Sequence, residues 1–277
     1  MEKSQIIDLI QETFRTFPGN AVSGQDAIRP ELAGMVLFEA PLVGFAHADD
    51  PIFETYRKEG VIGPWHMMPR DWLPGAKTVV SMFFPFTEQV KEGERKASPD
   101  ETSAEWLHGR IEGQNYLVAL FKEMSRRLTE AGVKHCVPCY DPRFKVGRGS
   151  PVPGYDVRTY GSTWSKRHAA YACGLGTFGL CKGIITEKGM AGRFGSIILD
   201  LELEADERPY TGIYDYCINC GACVRRCPAK AVDPETGKDH DRCAGRLDWS
   251  EVAYAPRYGC GKCQTDVPCE SCNPSKK

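Results

Sequence analysis

The cysteines towards the end of this chain have types and spacings that bind iron–sulfur clusters. The run from Cys217 to Pro228 reads Cys-x2-Cys-x2-Cys-x3-Cys-Pro. This is the bacterial ferredoxin spacing, in which three thiolates of a tight loop bind one 4Fe–4S cluster and the fourth serves another. We expect a helix to begin at Pro228, where the missing N–H costs nothing. The run therefore predicts one cluster here and a second cluster with ligands downstream.

The later cysteines supply candidates for that second cluster. The ferredoxin pattern assigns Cys217, Cys220, Cys223 and Cys269 to the first cluster, and Cys227, Cys243, Cys260 and Cys263 to the second. Cys269 is preferred to Cys272 because its distance from Cys263 along the chain is nearer to the usual spacing. A zinc site is the weaker interpretation, because zinc sites usually pair two Cys-x2-Cys units.

The composition excludes several classes of protein. Hydrophobic residues make up 42% and charged residues 26% of the 277-residue chain, as in ordinary soluble globular proteins. The N-terminus has no apolar signal core, and no apolar run reaches the length of a membrane span. Thiolate ligands need a reducing compartment, so we expect a cytoplasmic protein with no membrane partner. The net charge of −2 shows no overall basic character, so tRNA is not expected as a tight partner.

The elements that must position these residues follow from periodicity and breakers. We predict helices from Ser4 to near Pro18 and over residues 52–59, 105–130 and 164–173. Strands are predicted within 34–46 and over 77–86, 133–139, 183–186 and 194–201. Residues 88–103 are predicted to form an exposed loop. The acidic run 202–208 marks a change of composition. We therefore expect two domains, residues 1–205 and residues 206–277.

A glycine-rich element follows the helix predicted over residues 164–173. Gly174, Gly176 and Gly179 match Gly-x-Gly-x-x-Gly, but a helix precedes them where a nucleotide-binding fingerprint requires a strand. We expect these glycines to let the backbone approach a bulky, flat group. The buried cysteines nearby, Cys173 and Cys181, are expected to behave as small hydrophobic side chains.

Several stretches in one order resemble the epoxyqueuosine reductases and their relatives, the corrinoid reductive dehalogenases. The similar stretches are PLVGFA at 41–46, LPGAKTVVSMFFPF at 73–86, KRHAAYACGLGTFG at 166–179 and RFGSIILD at 193–200, followed by the two-cluster cysteine set. The resemblance implies an α+β chain. Its N-terminal domain would have a nitroreductase-like α/β fold that binds cobalamin, and its C-terminal domain would be a ferredoxin-like double 4Fe–4S domain that supplies electrons.

The resemblance also implies site residues. It assigns contacts with cobalamin to Arg158, Lys166, His168, Gly174, Leu175, Gly176 and Arg193. Tyr160 stands where epoxyqueuosine reductases carry an aspartate, and the dehalogenases use a tyrosine in this region as a proton donor. We therefore expect Tyr160 to be the catalytic acid, with its pKa lowered by a neighbouring cation.

Two departures from the resemblance concern the substrate. The glutamate that precedes Arg167 in the family is Lys166 here, and the helical-repeat extension used on tRNA is not expected. The substrate would accordingly be a small organic molecule or a modified nucleoside.

The sequence leaves two alternative functions open. The first is a cobalamin- and 4Fe–4S-dependent reductase that receives electrons from a low-potential donor, a ferredoxin or flavodoxin. The second is an electron-transfer or corrinoid-handling protein with no small-molecule substrate of its own.

Overall fold

The computed structural model describes residues 1–156 and 158–276. Its helices are α1 (Lys3–Thr16), α2 (Ile52–Tyr56), α3 (Pro69–Trp72), α4 (Glu88–Lys96), α5 (Ala104–Arg110), α6 (Glu112–Glu130), α7 (Lys166–Ala172), α8 (Ala222–Arg225) and α9 (His240–Ala253). Its strands are β1 (Leu42–His47), β2 (Thr78–Pro85), β3 (His135–Cys136), β4 (Ser150–Pro151), β5 (Arg158–Thr159), β6 (Gly176–Phe178), β7 (Ile184–Thr186), β8 (Gly192–Leu199), β9 (Val232–Asp233) and β10 (Gly237–Lys238). No helix in this described part of the chain is long and apolar enough to cross a membrane.

A four-stranded antiparallel sheet in the order β1-β2-β8-β3 forms the centre of the fold. Every residue of β2 is buried, because helices cover both faces of the sheet. On one face Val80 and Phe84 pack against Phe121 of α6, and on the other Val79 packs against Ala169 of α7. The result is a mixed α/β arrangement of helix, sheet and helix layers.

The C-terminal part of the chain, from residue 206 onwards, is the cysteine-rich segment, and it has no large hydrophobic core of its own among the residues the structure describes. It consists of α8, the β9–β10 hairpin, α9 and irregular loops. Tyr216, Val232 and Val267 of this segment share one buried cluster with Ile185 and Met190 of the preceding part. The cysteine-bearing loops are therefore packed directly against the β6–β8 region.

The polar stretch 88–103, predicted as an exposed loop, instead forms α4 and a short connection. The prediction was wrong because polar side chains of α4 are buried against the loop that contains Gly261 and Lys262. The Glu94 carboxylate is fully buried and accepts hydrogen bonds from the backbone N–H of Ser103 (2.8 Å) and of Gly261 (3.0 Å). Lys262 Nζ, also buried, donates to the carbonyl oxygens of Glu94 and Ala97, both at 3.1 Å. Charge composition alone does not distinguish such a helix from a solvated loop.

Two other predictions of local structure need correction. The single helix predicted over 105–130 is divided at Ile111 into α5 and α6, and the strand expected before β1 is reduced to isolated bridges at Val36 and Phe38. The helix expected to begin at Pro228 is a turn, in which the N–H of Lys230 donates to the carbonyl of Cys227 at 3.0 Å. The short helix α8 lies before this proline instead.

Replacing Glu94 with alanine is expected to lower the free energy of unfolding by about 3–5 kcal/mol, the usual cost of breaking a buried ion pair. The substitution removes the acceptor for two backbone N–H groups and leaves Lys262 without its acidic neighbour. Denaturant unfolding measures the change. Glu92→Ala is the matched control, since Glu92 is on the same helix and pairs with Lys96 at the surface (2.6 Å). Its cost should be within about 0.5 kcal/mol, and equal effects of the two substitutions would contradict this account.

Candidate functional site

The first cysteine cavity is formed by two distant parts of the chain. Cys217, Cys220 and Cys223 line it together with Cys269. The loop that carries the first three turns sharply because Asn219 and Gly221 adopt left-handed backbone conformations, with φ of 50° and 69°. The four cysteines are those assigned to the first cluster from the sequence.

The second cysteine cavity is lined by the other four predicted ligands, Cys227, Cys243, Cys260 and Cys263. Trp106 and Phe86 form part of its wall, and Arg246 is one of several cations that line it. Cations beside the thiols favour the negative charge of a thiolate-bound cluster. The first cavity is the tighter of the two, at about 20 Å³ against about 210 Å³.

The remaining late cysteine lies apart from both cavities. Cys272 Sγ donates to the carbonyl oxygen of Pro268 at 3.4 Å and lines neither cavity. Among residues 1–156 and 158–276, no three His, Cys, Asp or Glu side chains are arranged to hold a single metal ion. Four thiols around a cavity instead form the donor set of an iron–sulfur cluster.

Burial raises the pKa of two of these thiols, that of Cys260 to about 11 and that of Cys269 to about 12. Both are therefore protonated at neutral pH while no metal is bound. Thiolate ligation has to release these protons, so cluster assembly is coupled to pH.

A third cavity, of about 390 Å³, lies beside the second cysteine cavity. We call it the cationic cavity; its cations are Lys166, Arg167, Arg193 and Lys238, and its aromatic residues are Phe144, Tyr160, Trp164 and Phe194. No acidic residue lines it in the described part of the chain. Cys263 lines both this cavity and the second cysteine cavity. An electron arriving at a cluster bound by Cys263 would therefore be next to whatever the cationic cavity holds.

Tyr160 lies at the edge of the cationic cavity and is held by α9. Its hydroxyl donates to Asp241 Oδ1 at 2.6 Å, its ring stacks on His240 at 5.3 Å, and Arg158 pairs with the same carboxylate. The hydrogen bond to Asp241 raises the pKa of Tyr160, and the opposing effect of Arg158 is smaller. The expected lowering by a neighbouring cation is thus wrong in direction, because an aspartate 81 residues away along the chain lies at the phenol. Arg158 itself does not line the cavity.

Lys166 and Arg193, for which the resemblance implies contacts with cobalamin, both line the cationic cavity. Burial lowers the pKa of each, since removal from water disfavours the charged form. Arg193 donates to Gln114 Oε1 at 2.5 Å, which fixes its position on β8. Partly desolvated cations of this kind bind an anionic group more strongly than exposed ones do.

His168 lies among protein side chains and not in the cavity. Its ring contacts Tyr56 and Phe178, each with centroids 4.9 Å away, and its Nδ1 is 2.7 Å from Ser165 Oγ. Burial lowers its pKa to about 3, so it is neutral at physiological pH. In this position the side chain closes the N-terminal turn of α7.

The glycine element after α7 is also packed against the protein itself. Gly174 has φ of +77°, and a Cβ there would lie 2.7 Å from the carbonyl oxygen of Glu207. A Cβ on Gly176 would lie 1.9 Å from the carbonyl oxygen of Ile185, and Leu175 is buried in a small cluster with Phe83. At Gly174 and Gly176 the chain's own backbone therefore occupies the space in which a flat group was expected, whereas Gly179 faces only the side chains of Ile185 and Met190.

Sequence reasoning missed several residues of the site. Asp241, Lys238 and Gln264 come from the cysteine-rich segment, and no motif linked them to Tyr160 or Arg193. Cys181, interpreted from the sequence as a small hydrophobic residue, lines both the first cysteine cavity and the cationic cavity. Cys181 lies two residues after KRHAAYACGLGTFG (166–179), a stretch that resembles the family, and this position was the available signal that it belongs to the site.

Comparisons with known proteins agree with the resemblance. The model of a 4Fe–4S binding domain matches residues 210–233. The epoxyqueuosine reductase of Leadbetterella byssophila is 26% identical over 219 residues, which cover 73% of this chain and 62% of that protein. A tetrachloroethene reductive dehalogenase of Desulfitobacterium hafniense is 30% identical over 110 residues, covering 37% of this chain and 20% of the dehalogenase.

The fold is also similar to that of a solved protein. A crystal structure of epoxyqueuosine reductase superposes with a TM-score of 0.51 at 18% identity, over 83% of this chain and 61% of that one. The chain thus spans about three fifths of the length of the epoxyqueuosine reductases it matches. It is related in sequence to these reductases and to reductive dehalogenases, it has a mixed α/β fold, and it carries a 4Fe–4S binding domain near its C-terminus.

Proposed function

We propose that this chain is a cytoplasmic reductase that depends on two 4Fe–4S clusters and cobalamin and acts on a small organic molecule or a modified nucleoside. Residues 206–277 would hold the clusters, and residues 1–205, with a nitroreductase-like fold, would hold cobalamin and substrate. The observation that carries the proposal is Cys263, which lines both the second cysteine cavity and the cationic cavity. Cluster and substrate chemistry would then be separated by a single side chain.

The residues of the cationic cavity fit the chemistry of cobalamin. Phe144 and Phe194, which are only partly buried, offer aromatic surface to a flat macrocycle, and Lys166 and Arg193 offer positive charge to a phosphate. The volume of about 390 Å³ is in the range of small-molecule sites. When bound, cobalamin supplies a cobalt centre that accepts single electrons and carries out reductive bond cleavage.

The chain's own residues would bind the substrate and hold a proton. Lys166 and Arg193 favour a substrate with an anionic or strongly polar group, because no carboxylate among the described lining residues opposes them. Tyr160 keeps its proton at neutral pH, because Asp241 raises its pKa above the ordinary value. It therefore holds a proton that a leaving group gaining negative charge could accept, although the raised pKa makes it a weaker acid than an ordinary phenol.

Titration with hydroxocobalamin, followed by tryptophan fluorescence, tests this function. Trp164 lines the cationic cavity, so a corrinoid bound there should quench its emission with saturation near one equivalent. Absence of saturable quenching would contradict the cobalamin proposal and favour an electron-transfer protein. Saturable quenching without turnover of any supplied substrate would favour corrinoid handling.

We propose that electrons enter at the surface beside the first cysteine cavity, from a ferredoxin or flavodoxin. Cys220 is exposed there, and Ile218, which lines the cavity, leaves 49% of its surface exposed. Arg225, also exposed, donates to the carbonyl oxygen of Cys220 at 3.1 Å. An apolar surface with a cation at its edge suits an acidic donor protein.

Ile218→Glu is expected to raise the KM for the donor about tenfold, because a charge would replace an apolar contact at the centre of the interface. Turnover with the small chemical reductant dithionite should stay near that of the parent, since no protein interface is needed. Val252→Glu is the control, because Val252 on α9 is 84% exposed and lines neither cysteine cavity. A donor KM that is the same in all three proteins would place electron entry elsewhere.

We also propose that tRNA is not a tight partner. Several basic residues near the cationic cavity are already engaged within the protein. Arg158 pairs with Asp241, and Arg167 donates to the carbonyl oxygen of Lys182 at 2.6 Å. Tight binding of a nucleic acid needs a concentrated basic surface that neutralises several phosphates. Submicromolar, steeply salt-dependent tRNA binding in a filter assay would contradict this.

A further inference from the structure

The second cysteine cavity and the cationic cavity share one wall. The residues that line both cavities in the described part of the chain are Gly192, Arg193, Lys238, Cys263 and Gln264. Two of these residues are cations and one is an amide. No acidic residue among the described ones lines either cavity. The shared wall therefore presents positive charge to both cavities.

Lys238 is brought to this wall by the β9–β10 hairpin. Its backbone pairs with Val232, which is 4% exposed, and the N–H of Asp239 donates to the carbonyl oxygen of Ala231 at 2.8 Å. Gly237 supplies the left-handed turn before it, with φ of 81°. The hairpin therefore fixes the backbone of Lys238, while its half-buried side chain lines both cavities.

The two cations of the wall differ in how they are held. Arg193 donates to Gln114 Oε1 at 2.5 Å, so part of its guanidinium is already engaged. Lys238 has no acidic neighbour among the described lining residues of either cavity, so no carboxylate there neutralises its charge. A lysine ammonium is a point charge on a flexible stem and can turn toward an anion. An anion that enters the cationic cavity at this wall would therefore meet one fixed cation and one adjustable cation.

An anion at this wall would also act on a cluster bound by Cys263, which lies on the same wall. Reduction of a cluster adds one negative charge. Like charges that are partly removed from water repel each other more strongly than charges in bulk water do. The bound anion would thus disfavour the reduced form of the cluster and lower its reduction potential. By linkage, reduction of the cluster weakens binding of the anion by the same factor.

We propose that the cationic cavity binds an anionic oxygen group, a phosphate or a carboxylate, through Lys238 and Arg193 at the shared wall, and that the bound anion makes the second cluster a stronger reductant. One electron enters the cluster from the donor and one leaves it for the acceptor, and the anion itself is neither oxidised nor reduced. The reducing power of the cluster would then rise when the ligand is in place. This inference rests on the proposed function, because it requires the second cluster.

The test uses inorganic phosphate as the anion and protein purified anaerobically with its clusters intact. Calorimetric titration at constant ionic strength gives the Kd for phosphate of the parent, Lys238→Gln and Lys238→Arg. Lys230→Gln is the matched control, since Lys230 is in the same segment but is exposed and lines neither cavity. Redox titrations followed by electron paramagnetic resonance then give the midpoint potentials of the clusters with and without phosphate.

Lys238→Gln is expected to raise the Kd for phosphate about tenfold, the usual scale for a lost hydrogen bond between charged groups. Lys238→Arg keeps the positive charge and should recover most of the affinity, and Lys230→Gln should bind phosphate like the parent. In the parent, saturating phosphate should shift one midpoint potential to a more negative value. The ratio of reduced to oxidised cluster should change about tenfold at a fixed applied potential, which is 59 mV for one electron.

An unchanged phosphate Kd in Lys238→Gln would overturn the inference, and so would parent potentials that do not respond to phosphate. A parent with about four irons would instead refute the two-cluster function itself. Repeating the phosphate titration with hydroxocobalamin present separates two sources of the anionic group. Phosphate binding that persists beside the corrinoid assigns the wall to a substrate, and phosphate displaced by the corrinoid assigns it to the phosphate of the cobalamin.

Discussion

Replacing Cys263 with alanine is expected to remove the second cluster and to lower turnover by about 100-fold or more, since even residues behind a metal ligand cost 10- to 100-fold when changed. Iron content should fall from about eight to about four atoms per chain. The effect is expected to be large because Cys263 is a predicted ligand of the second cluster and also lines the cationic cavity. Colorimetric iron analysis and a turnover assay with dithionite measure the two changes.

Cys272→Ala is the control for this substitution. Cys272 lies only nine residues further along the chain, but its thiol donates to the carbonyl oxygen of Pro268 and lines neither cysteine cavity. Its iron content and turnover should match those of the parent. Loss of iron from the Cys272 variant, with none from the Cys263 variant, would show that the two ligand groups have been assigned wrongly.

Tyr160→Phe is expected to lower turnover about 100-fold while iron content and cobalamin binding stay unchanged, because only the transferable proton is lost. Asp241 raises the pKa of this phenol above its ordinary value of 10, so the proton is present throughout the neutral range. Parent turnover should therefore show no loss from this group between about pH 6 and pH 9, and a decline only when the phenol ionises at higher pH. A pH–rate profile of both proteins measures this.

Tyr155→Phe tests whether the effect is specific to the cavity. Tyr155 belongs to the same segment, but its hydroxyl is 3.3 Å from the carbonyl oxygen of Pro64 and its ring packs on Trp65. We expect turnover close to that of the parent. If Tyr160→Phe also turned over like the parent, Tyr160 would be only part of the cavity wall. If it lost cobalamin, its role would be structural and another group would supply the proton.

The buried strand β2 and the grouping of the cysteines were the most predictable features of this chain. The continuous apolar run of β2 indicated a strand buried on both faces, because its side chains have to pack on two layers of helices. The grouping of the cysteines followed from the ferredoxin spacing, since a tight loop limits which thiols can point the same way. In the structure the first set lines one cavity together with Cys181, and the second set lines another; that these thiols bind two clusters stays a prediction.

The contacts between the two parts of the chain were not predictable in this way. Glu94 with Gly261, and Tyr160 with Asp241, are separated by 167 and 81 residues, and no local pattern encodes such pairs. The polar helix α4 looked like a solvated loop because its buried carboxylate has partners that only the folded chain supplies. The glycines after α7 were misinterpreted for a similar reason. Glycine indicates that another group approaches the backbone closely, but the sequence does not show that this group is the chain's own backbone.

The most direct test of the account is the iron and cobalt content of the protein, purified anaerobically after expression with cobalamin supplied, together with its ultraviolet–visible spectrum. Two 4Fe–4S clusters and one cobalamin predict about eight irons and about one cobalt per chain, with the broad absorption of clusters overlaid by corrinoid bands. About four irons, or no cobalt after reconstitution with cobalamin, would contradict it.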